Sequence, residues 1–331
     1  MSQTEGVEPE RRGSGWASSL RVGLGAAIAL ALGIDVLLYT SIELQDALFA
    51  RDRDKRLAAV SEAFAASLDQ GGRFALATAE AVSSSPTVVR ALATQDRKLL
   101  TDLTAPAFKK LQTHGVKSFG FQTPDLKYFL RLQTPENFGD DLSKSRPILL
   151  AANKSRRPQM GLERSASGIL LRGVTPVGDG DAFAGTVEVG VELAPLLEEL
   201  KSVANADVAI LARAAANDSA KPAGELTLVE ATDSSLFARL LWEGALANGR
   251  DRALFERRFD GVDGAMLVEP ITDFSGESIG VFVAVKRFPD HDTERRQTRT
   301  DLIATGAIAG IVAFAAFSLL ARLALARRGT A

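Results

Sequence analysis

Three arginines in the middle of the chain, Arg131, Arg146 and Arg172, have the side chain best suited to hold a small anionic group. A guanidinium is planar and always charged, and it makes two parallel, charge-assisted hydrogen bonds to one carboxylate. Asp141 and Glu188 supply the opposite charge from the same part of the chain. This combination predicts a pocket for a small anionic or zwitterionic ligand.

Three predicted strands bring most of these residues to one face of a sheet. Side chains alternate across a strand, which places Phe129 with Arg131 on the first strand, Arg172 on the second and Glu188 on the third. The opposite face of the third strand holds only valines and is expected to pack on a helix. The mixed face is therefore the expected wall of the pocket.

A structural alternative stays open for the same charges. Glu163 and Glu188 would neutralise Arg131 and Arg172 in a network that binds no ligand, because buried charges are usually paired. The paired carboxylates could also suit glycoside hydrolysis, but nothing in the sequence places them around a substrate cleft.

The acidic segment "ENFGDD" has two interpretations as well. Asp140 or Asp141 precedes a short helical run and is a suitable N-cap for it. Either residue could instead reach the pocket, so we expect this segment to form the rim turn and to start the helix.

Composition excludes several other functions. The chain has no cysteine, which removes thiolate catalysis, disulfides and zinc–cysteine sites, and its two histidines lie far apart without metal-ligand spacing. The net charge of −2 gives no reason to expect nucleic-acid binding. The metalloprotease motif HExxH and the Walker A motif are both missing. We expect no enzyme activity, no cofactor, no metal and no nucleic-acid partner.

Two hydrophobic segments, residues 22–42 and 302–321, are long enough to span the roughly 30 Å hydrocarbon core of a bilayer. The first contains one charge, Asp35, and could instead be a cleaved signal peptide, but no small-x-small cleavage site follows it. We predict two transmembrane helices with both tails, residues 1–21 and 322–331, in the cytoplasm. Gly306 and Gly310 form a GxxxG pair suited to contact with a partner helix or to self-association.

The segment between these helices changes period from helical to alternating twice, which predicts an α+β fold with two related antiparallel modules in tandem. A long helix from Leu44 to about Leu68, interrupted by "DQGG", should precede the first module. The predicted boundaries are residues 43–205 for the long helix and first module, and 206–300 for the second.

The long helix carries an apolar stripe that is open to two interpretations. Its members recur at three- and four-residue spacing: Leu57, Val60, Phe64 and Leu68. The stripe could serve a partner helix in a homodimer, or it could pack on the chain's own sheet.

Four motifs in order, "FLRLQTPENFGDDLS", "GLE", "GILLRGVTPV" and "GTVEVG", resemble the double Cache sensor domain of bacterial chemoreceptors and sensor kinases. The resemblance covers about a quarter of the chain. It implies two PAS-like modules, a small-molecule ligand in the membrane-distal one, a homodimer, and an extracytoplasmic position in the bacterial inner membrane.

Members of that family usually continue into an output domain, whereas this sequence ends ten residues after its second hydrophobic segment. We therefore expect a separate kinase, cyclase or chemoreceptor to carry the signal. The alternative is a membrane scaffold that has lost its ligand.

Overall fold

The computed structural model describes residues 15–165, 168–178, 182–214, 225–246 and 251–328. The predicted amino-terminal tail, residues 1–21, lies largely outside these ranges, as does the end of the predicted tail 322–331. The described chain forms two compact units, one spanning Asp54–Arg287 and one composed of the residues before and after it.

The larger unit contains two five-stranded antiparallel sheets. The first, with strand order β2-β1-β5-β4-β3, and its helices form what we call the first module. Its elements are α1 Gly15–Ser83, α2 Pro86–Ala93, α3 Arg97–Leu111, β1 Val116–Gln122, β2 Tyr128–Arg131, α4 Pro147–Ser155, β3 Gln159–Ser165, β4 Gly168–Val177 and β5 Gly185–Val191.

The second sheet has the matching order β7-β6-β10-β9-β8 and, with its two helices, forms the second module. Its elements are α5 Ala194–Ala204, β6 Asp207–Arg213, β7 Leu226–Ala231, α6 Ser234–Trp242, β8 Ala253–Phe259, β9 Val262–Thr272 and β10 Ser278–Arg287, after which α7 Pro289–Arg328 follows. The predicted α+β class with two antiparallel sheets and a long amino-terminal helix is confirmed. The predicted module boundaries stay predictions.

The valine face of β5 packs on helices, as the alternation predicted. Val187, Val189 and Val191 belong to one buried apolar cluster with Ala75 and Ala79 of α1 and with side chains of α2 and α3. A β-carbon at Gly173 would lie 2.2 Å from the backbone nitrogen of Leu76. The glycine therefore lets α1 touch the sheet backbone directly, which leaves the opposite, mixed face free to form a cavity.

The apolar stripe of α1 packs on the chain's own second sheet. Leu57, Val60 and Phe64 are each at most 6% exposed. The Phe64 ring stacks on the Phe282 ring of β10 with a centroid distance of 3.9 Å. These three side chains are buried within one chain, so the interpretation of the stripe as a surface for a partner helix is wrong.

Two local predictions are also wrong. The glycines of "DQGG" do not interrupt the helix, because α1 continues to Ser83. Instead, the missing side chains let residues of the first sheet pack closely against the helix. A β-carbon at Gly71 would lie 2.8 Å from Leu171, and one at Gly72 would lie 3.3 Å from Met160. Neither Asp140 nor Asp141 caps α4, which begins later, at Pro147, with Arg146 in the N-cap position.

In the part of the chain that the structure describes, two helices are long and apolar enough to cross a membrane, α1 in its amino-terminal part and α7 over Arg296–Leu320. A β-carbon at Gly306 of α7 would lie 2.7 Å from Leu38 and 3.4 Å from Ile34 of α1. Gly306 therefore serves a contact between two helices of the same chain. Gly310 has no atom within 4 Å of its β-carbon position.

We predict that Gly173→Ala destabilises the protein by at least about 3 kcal/mol, because the new methyl group meets helix backbone that cannot move aside as a side chain would. Denaturant unfolding of the full chain in detergent, followed by circular dichroism, measures the change. Gly310→Ala, which meets nothing, is the control and should cost less than about 1 kcal/mol. Equal stability of the two variants would contradict the close helix–sheet contact.

Candidate functional site

A cavity of about 690 Å³ lies over the mixed face of the first sheet. Its wall is formed by the ends of β1, β2 and β4 and by the loop that joins β2 to α4. The lining residues are predominantly polar or charged: Ser118, Tyr128, Arg131, Gln133, Thr134, Glu136, Asn137, Phe138, Asp140, Asp141, Leu142, Ser145, Arg146 and Arg172. Its volume suits a small metabolite.

A β-bulge in β2 decides which aromatic ring reaches the cavity. Leu130 pairs with Phe121 and Tyr128 pairs with Gln122, so Phe129 is the extra residue in the register. Tyr128 consequently lies on the same face as Arg131, whereas Phe129 packs against the helix-side apolar cluster. The prediction that Phe129 shares the face of Arg131 is wrong, because strict alternation fails at the bulge.

Four buried charged side chains form a compact network in the floor of the cavity. Arg146 binds both carboxylates, with its Nε 2.6 Å from Glu163 Oε2 and its Nη2 2.5 Å from Glu188 Oε2. Arg172 lies alongside, 3.2 Å from Glu163 Oε2 through Nε and 3.3 Å from Glu188 Oε2 through Nη1. Each of the four side chains is at most 7% exposed. Two positive and two negative charges thus neutralise each other away from water.

Further hydrogen bonds hold this network in place. The Tyr128 hydroxyl donates to Glu188 Oε1. Ser118 Oγ lies 3.2 Å from Arg172 Nη1, and the backbone N–H of Ile148 donates to Glu163 Oε1 at 3.3 Å. The network therefore joins all five strands of the first sheet to the start of α4, which makes it a structural centre of the first module.

The network shifts the acid–base behaviour of its members. Burial alone would raise the pKa of Glu188, but the Arg146 and Arg172 charges outweigh it and lower that pKa to about 2. Burial raises the pKa of Glu163 because the same two arginines compensate it less completely. Burial and the Glu188 charge both raise the pKa of Tyr128, so its hydroxyl stays protonated and can donate.

Arg131 occupies the outer part of the cavity and has different partners. Its Nη2 pairs with Asp140 Oδ2, and its Nη1 donates to the Asn137 carbonyl at 2.8 Å. The guanidinium carbon lies 3.7 Å from the centroid of the Tyr128 ring, which adds a cation–π contact. Its side chain is 17% exposed, so it remains reachable from solvent.

The rim of the cavity is fastened to helix α3. The Arg97 guanidinium carbon lies 3.7 Å from the centroid of the Phe138 ring, and Arg97 Nη2 donates to the Pro135 carbonyl. Phe138 is nevertheless 58% exposed. The loop between β2 and α4 is thus held at one edge while its apolar tip faces solvent.

The structure brings together four predicted site residues at the cavity, Arg131, Arg146, Arg172 and Asp141. Glu188 lies directly behind them in the network, and Phe129 does not line the cavity. Their predicted role in ligand binding stays a prediction. Glu163 was predicted only as an alternative partner of the arginines, and Tyr128 was not predicted at the cavity, since nothing in "YFLRLQ" signals the bulge.

No group of three or more acidic, histidine or cysteine side chains within the described residues is arranged to hold a metal ion. The side chains that line the cavity can form charge pairs and hydrogen bonds through guanidinium, carboxylate, hydroxyl and amide groups.

Two tandem antiparallel modules behind a long helix, with a charged cavity over the first sheet, define a double sensory domain. Residues 51–287 match the family dCache_3, described as the double sensory domain of two-component sensor kinase. The chain belongs to this family. No curated protein matches the chain in sequence.

Three solved structures to which the chain is similar are distant from it in sequence. The ligand-binding domain of the Campylobacter jejuni chemoreceptor Tlp3, in complex with 4-methylisoleucine, is 10% identical over 85% of this chain and 96% of that one, with a TM-score of 0.43. The sensor domain of the V. cholerae histidine kinase DctB is 10% identical over 74% and 99%, with a TM-score of 0.45. The periplasmic domain of Vibrio cholerae LuxQ is 10% identical over 71% and 100%, with a TM-score of 0.41.

We predict that Glu188→Gln destabilises the protein by roughly 3–5 kcal/mol at pH 7, because it leaves buried Arg146 and Arg172 with a single carboxylate. Glu188 has a lowered pKa, so its ionised form stabilises the fold fully above its ordinary value of 4.5 and loses this effect as the pH falls towards 2. The gap between wild type and variant should therefore shrink below pH 4.5.

Urea unfolding at a series of pH values measures this gap. Glu192→Gln is the matched control, because the Glu192 side chain is 35% exposed and its ion pair with Lys117 is long at 4.0 Å. This substitution should lower the free energy of unfolding by less than about 1 kcal/mol. A Glu188→Gln variant as stable as this control at pH 7 would contradict the network.

Proposed function

We propose that this protein is a membrane-anchored sensor whose first-module cavity binds a small zwitterionic molecule of the amino-acid type. The observation that carries the proposal is the presence of both charge signs on one cavity wall. Arg131, Arg146 and Arg172 offer guanidinium groups, and the rim offers carboxylates such as Asp140 and Asp141. A free amino acid presents a carboxylate and an ammonium group and can use both.

The charge balance favours a zwitterion over a pure anion. Three arginines line the cavity, against three lining carboxylates, Glu136, Asp140 and Asp141, and the two network carboxylates Glu163 and Glu188. With all carboxylates ionised the site therefore carries two more negative than positive charges. A dicarboxylate would add to this excess, whereas a zwitterion, whose ammonium group balances its own carboxylate, would not.

A scaffold without a ligand is the second candidate function, and one specific observation favours it. Both buried arginines already have carboxylate partners from their own chain, Glu163 and Glu188. Such a network is complete without an added anion. In that case the cavity would be a remnant of a binding site, and the module would serve only as a spacer or an assembly surface.

We further propose that the sensor domain lies on the periplasmic side of the bacterial inner membrane and that the protein acts as a homodimer through a separate kinase, cyclase or chemoreceptor. A ligand shifts an equilibrium only through different affinities for two states, so some element must carry the shift to the membrane. Helix α1 suits this role, because it contains an apolar segment and also supplies Ala75 and Ala79 to the core of the first module.

Calorimetric titration of the full chain in lipid nanodiscs tests the ligand class. The probes are a panel of L-amino acids and, for each binder, two analogues with the same side chain, the amine without the carboxylate and the acid without the amino group. We expect an amino acid to bind and both analogues to bind much more weakly. An acid that binds as tightly as its parent would contradict the zwitterion proposal, and a panel without any binder would favour the scaffold.

We predict that Arg131→Ala weakens binding of the identified amino acid by about 10- to 150-fold, which corresponds to the roughly 1.5–3 kcal/mol of one charge-assisted hydrogen bond. The same titration measures it, after unfolding curves have shown that the variant is folded. Arg73→Ala is the control, because Arg73 is 72% exposed on α1 and pairs only with Asp69 four residues earlier. Unchanged affinity of a folded Arg131→Ala variant would remove Arg131 from the site.

A further inference from the structure

A partly buried phenylalanine of the second module packs against the core of the first. Phe274 lies in the turn between β9 and β10 and packs against a buried cluster beneath helix α4. The cluster belongs otherwise entirely to the first module: Leu126, Tyr128, Leu142, Ile148, Leu149, Ala152 and Val174. The backbone N–H of Phe274 also donates to the Leu162 carbonyl of β3 at 2.7 Å.

The first sheet is shaped to accept this ring. Gly161 of β3 leaves the space open, since a β-carbon there would lie 3.2 Å from the Phe274 ring. Strand β3 is at the edge of its sheet, and the Phe274 hydrogen bond satisfies a carbonyl that an edge strand leaves free. A second hydrogen bond joins β3 to the second module: Arg164 Nη2 donates to the Ile279 carbonyl at the start of β10.

The same cluster and the same strand also hold the cavity. Tyr128, a member of the cluster, donates to Glu188 and supports the Arg131 guanidinium on its ring. Glu163 lies on β3 between Leu162 and Arg164 and binds both Arg146 and Arg172. Phe274 thus packs against a cluster that contains Tyr128, which lines the cavity and contacts Arg131, but Phe274 does not line this cavity itself.

We propose that Phe274 is a positioning residue for the cavity of the first module, so that ligand binding there and the arrangement of the β9–β10 turn in the second module are coupled. Densely packed interiors respond to a displaced side chain by shifting their neighbours. A ligand that moves Arg131 or Arg146 acts on Tyr128 and α4, which belong to the cluster against which Phe274 packs. This inference rests on the proposed function for the identity of the ligand and goes beyond it in assigning the route to the second module.

The test compares three variants of the full chain in nanodiscs by titration with the amino acid identified above. Phe274→Ala removes the seated ring, Phe274→Leu restores part of its volume, and Leu240→Ala truncates a 1% exposed side chain in the α6 core of the second module, which does not contact the cluster. We expect roughly 5- to 20-fold weaker binding for Phe274→Ala, a smaller loss for Phe274→Leu and wild-type affinity for Leu240→Ala.

Amide hydrogen exchange distinguishes a positioning residue from one that only stabilises the fold, because it reports whether the ligand changes the β9–β10 turn. In the wild type, the ligand should slow exchange of the amides of residues 273–278, and in Phe274→Ala this effect should disappear. Exchange in α4 should be faster in unliganded Phe274→Ala than in unliganded Glu277→Ala, whose side chain lies in the same turn and is exposed.

These results separate the two proposals. A ligand that binds Phe274→Ala as tightly as wild type and leaves exchange at 273–278 unchanged would overturn the coupling and leave the sensing proposal intact. Equal losses of affinity in Phe274→Ala and Leu240→Ala would also overturn it, since destabilisation of the second module would then suffice. If no amino acid binds, the sensing proposal fails, and unaltered exchange in α4 of Phe274→Ala would overturn the positioning role independently.

Discussion

The first module depends on the pairing of two arginines with two glutamates out of contact with water. Removing a charge from water costs several kcal/mol, and each of these ions recovers that cost only through partners on other elements. Arg146 at the start of α4, Arg172 on β4, Glu163 on β3 and Glu188 on β5 must therefore all be in place together. Replacing one of them leaves an uncompensated buried charge, so the network specifies the position of α4 over the sheet as well as the floor of the cavity.

This arrangement explains how one sheet can serve two purposes. Its valine face packs on α1, and at Gly173 the backbone of the sheet lies against the backbone of this helix. Its mixed face carries the ion network, the apolar cluster beneath α4 and the cavity. The network is neutral by itself, whereas Arg131, Asp140 and Asp141 lie in the more accessible outer wall of the cavity. Under the proposed function, this outer wall distinguishes ligands and the network stabilises the module.

Much of this fold follows from periodicity, and the failures have physical causes. The valine face of β5 was predicted to pack on a helix and does so, because alternation there agrees with tertiary packing. Gly71 and Gly72 suggested a helix break because their intrinsic helix propensity is poor, yet contacts with Leu171 and Met160 override it. The face of Arg172 and Glu188 was predictable from alternation, whereas that of Phe129 was not, because a bulge leaves no trace in residue types. The pairing of Arg146 with two glutamates depends on where α4 begins, which no local pattern determined.

The central claim is that a zwitterionic ligand occupies the cavity at Arg131 rather than another surface of the protein. The most direct measurement is a spectrum of the arginine side chains in protein labelled with nitrogen-15, recorded during titration with an amino acid that binds. The account predicts that the Nε–H signal of Arg131, assigned through the Arg131→Ala variant, shifts in proportion to bound ligand, while that of exposed Arg73 stays fixed. Saturation of binding with the Arg131 signal unmoved would contradict the account.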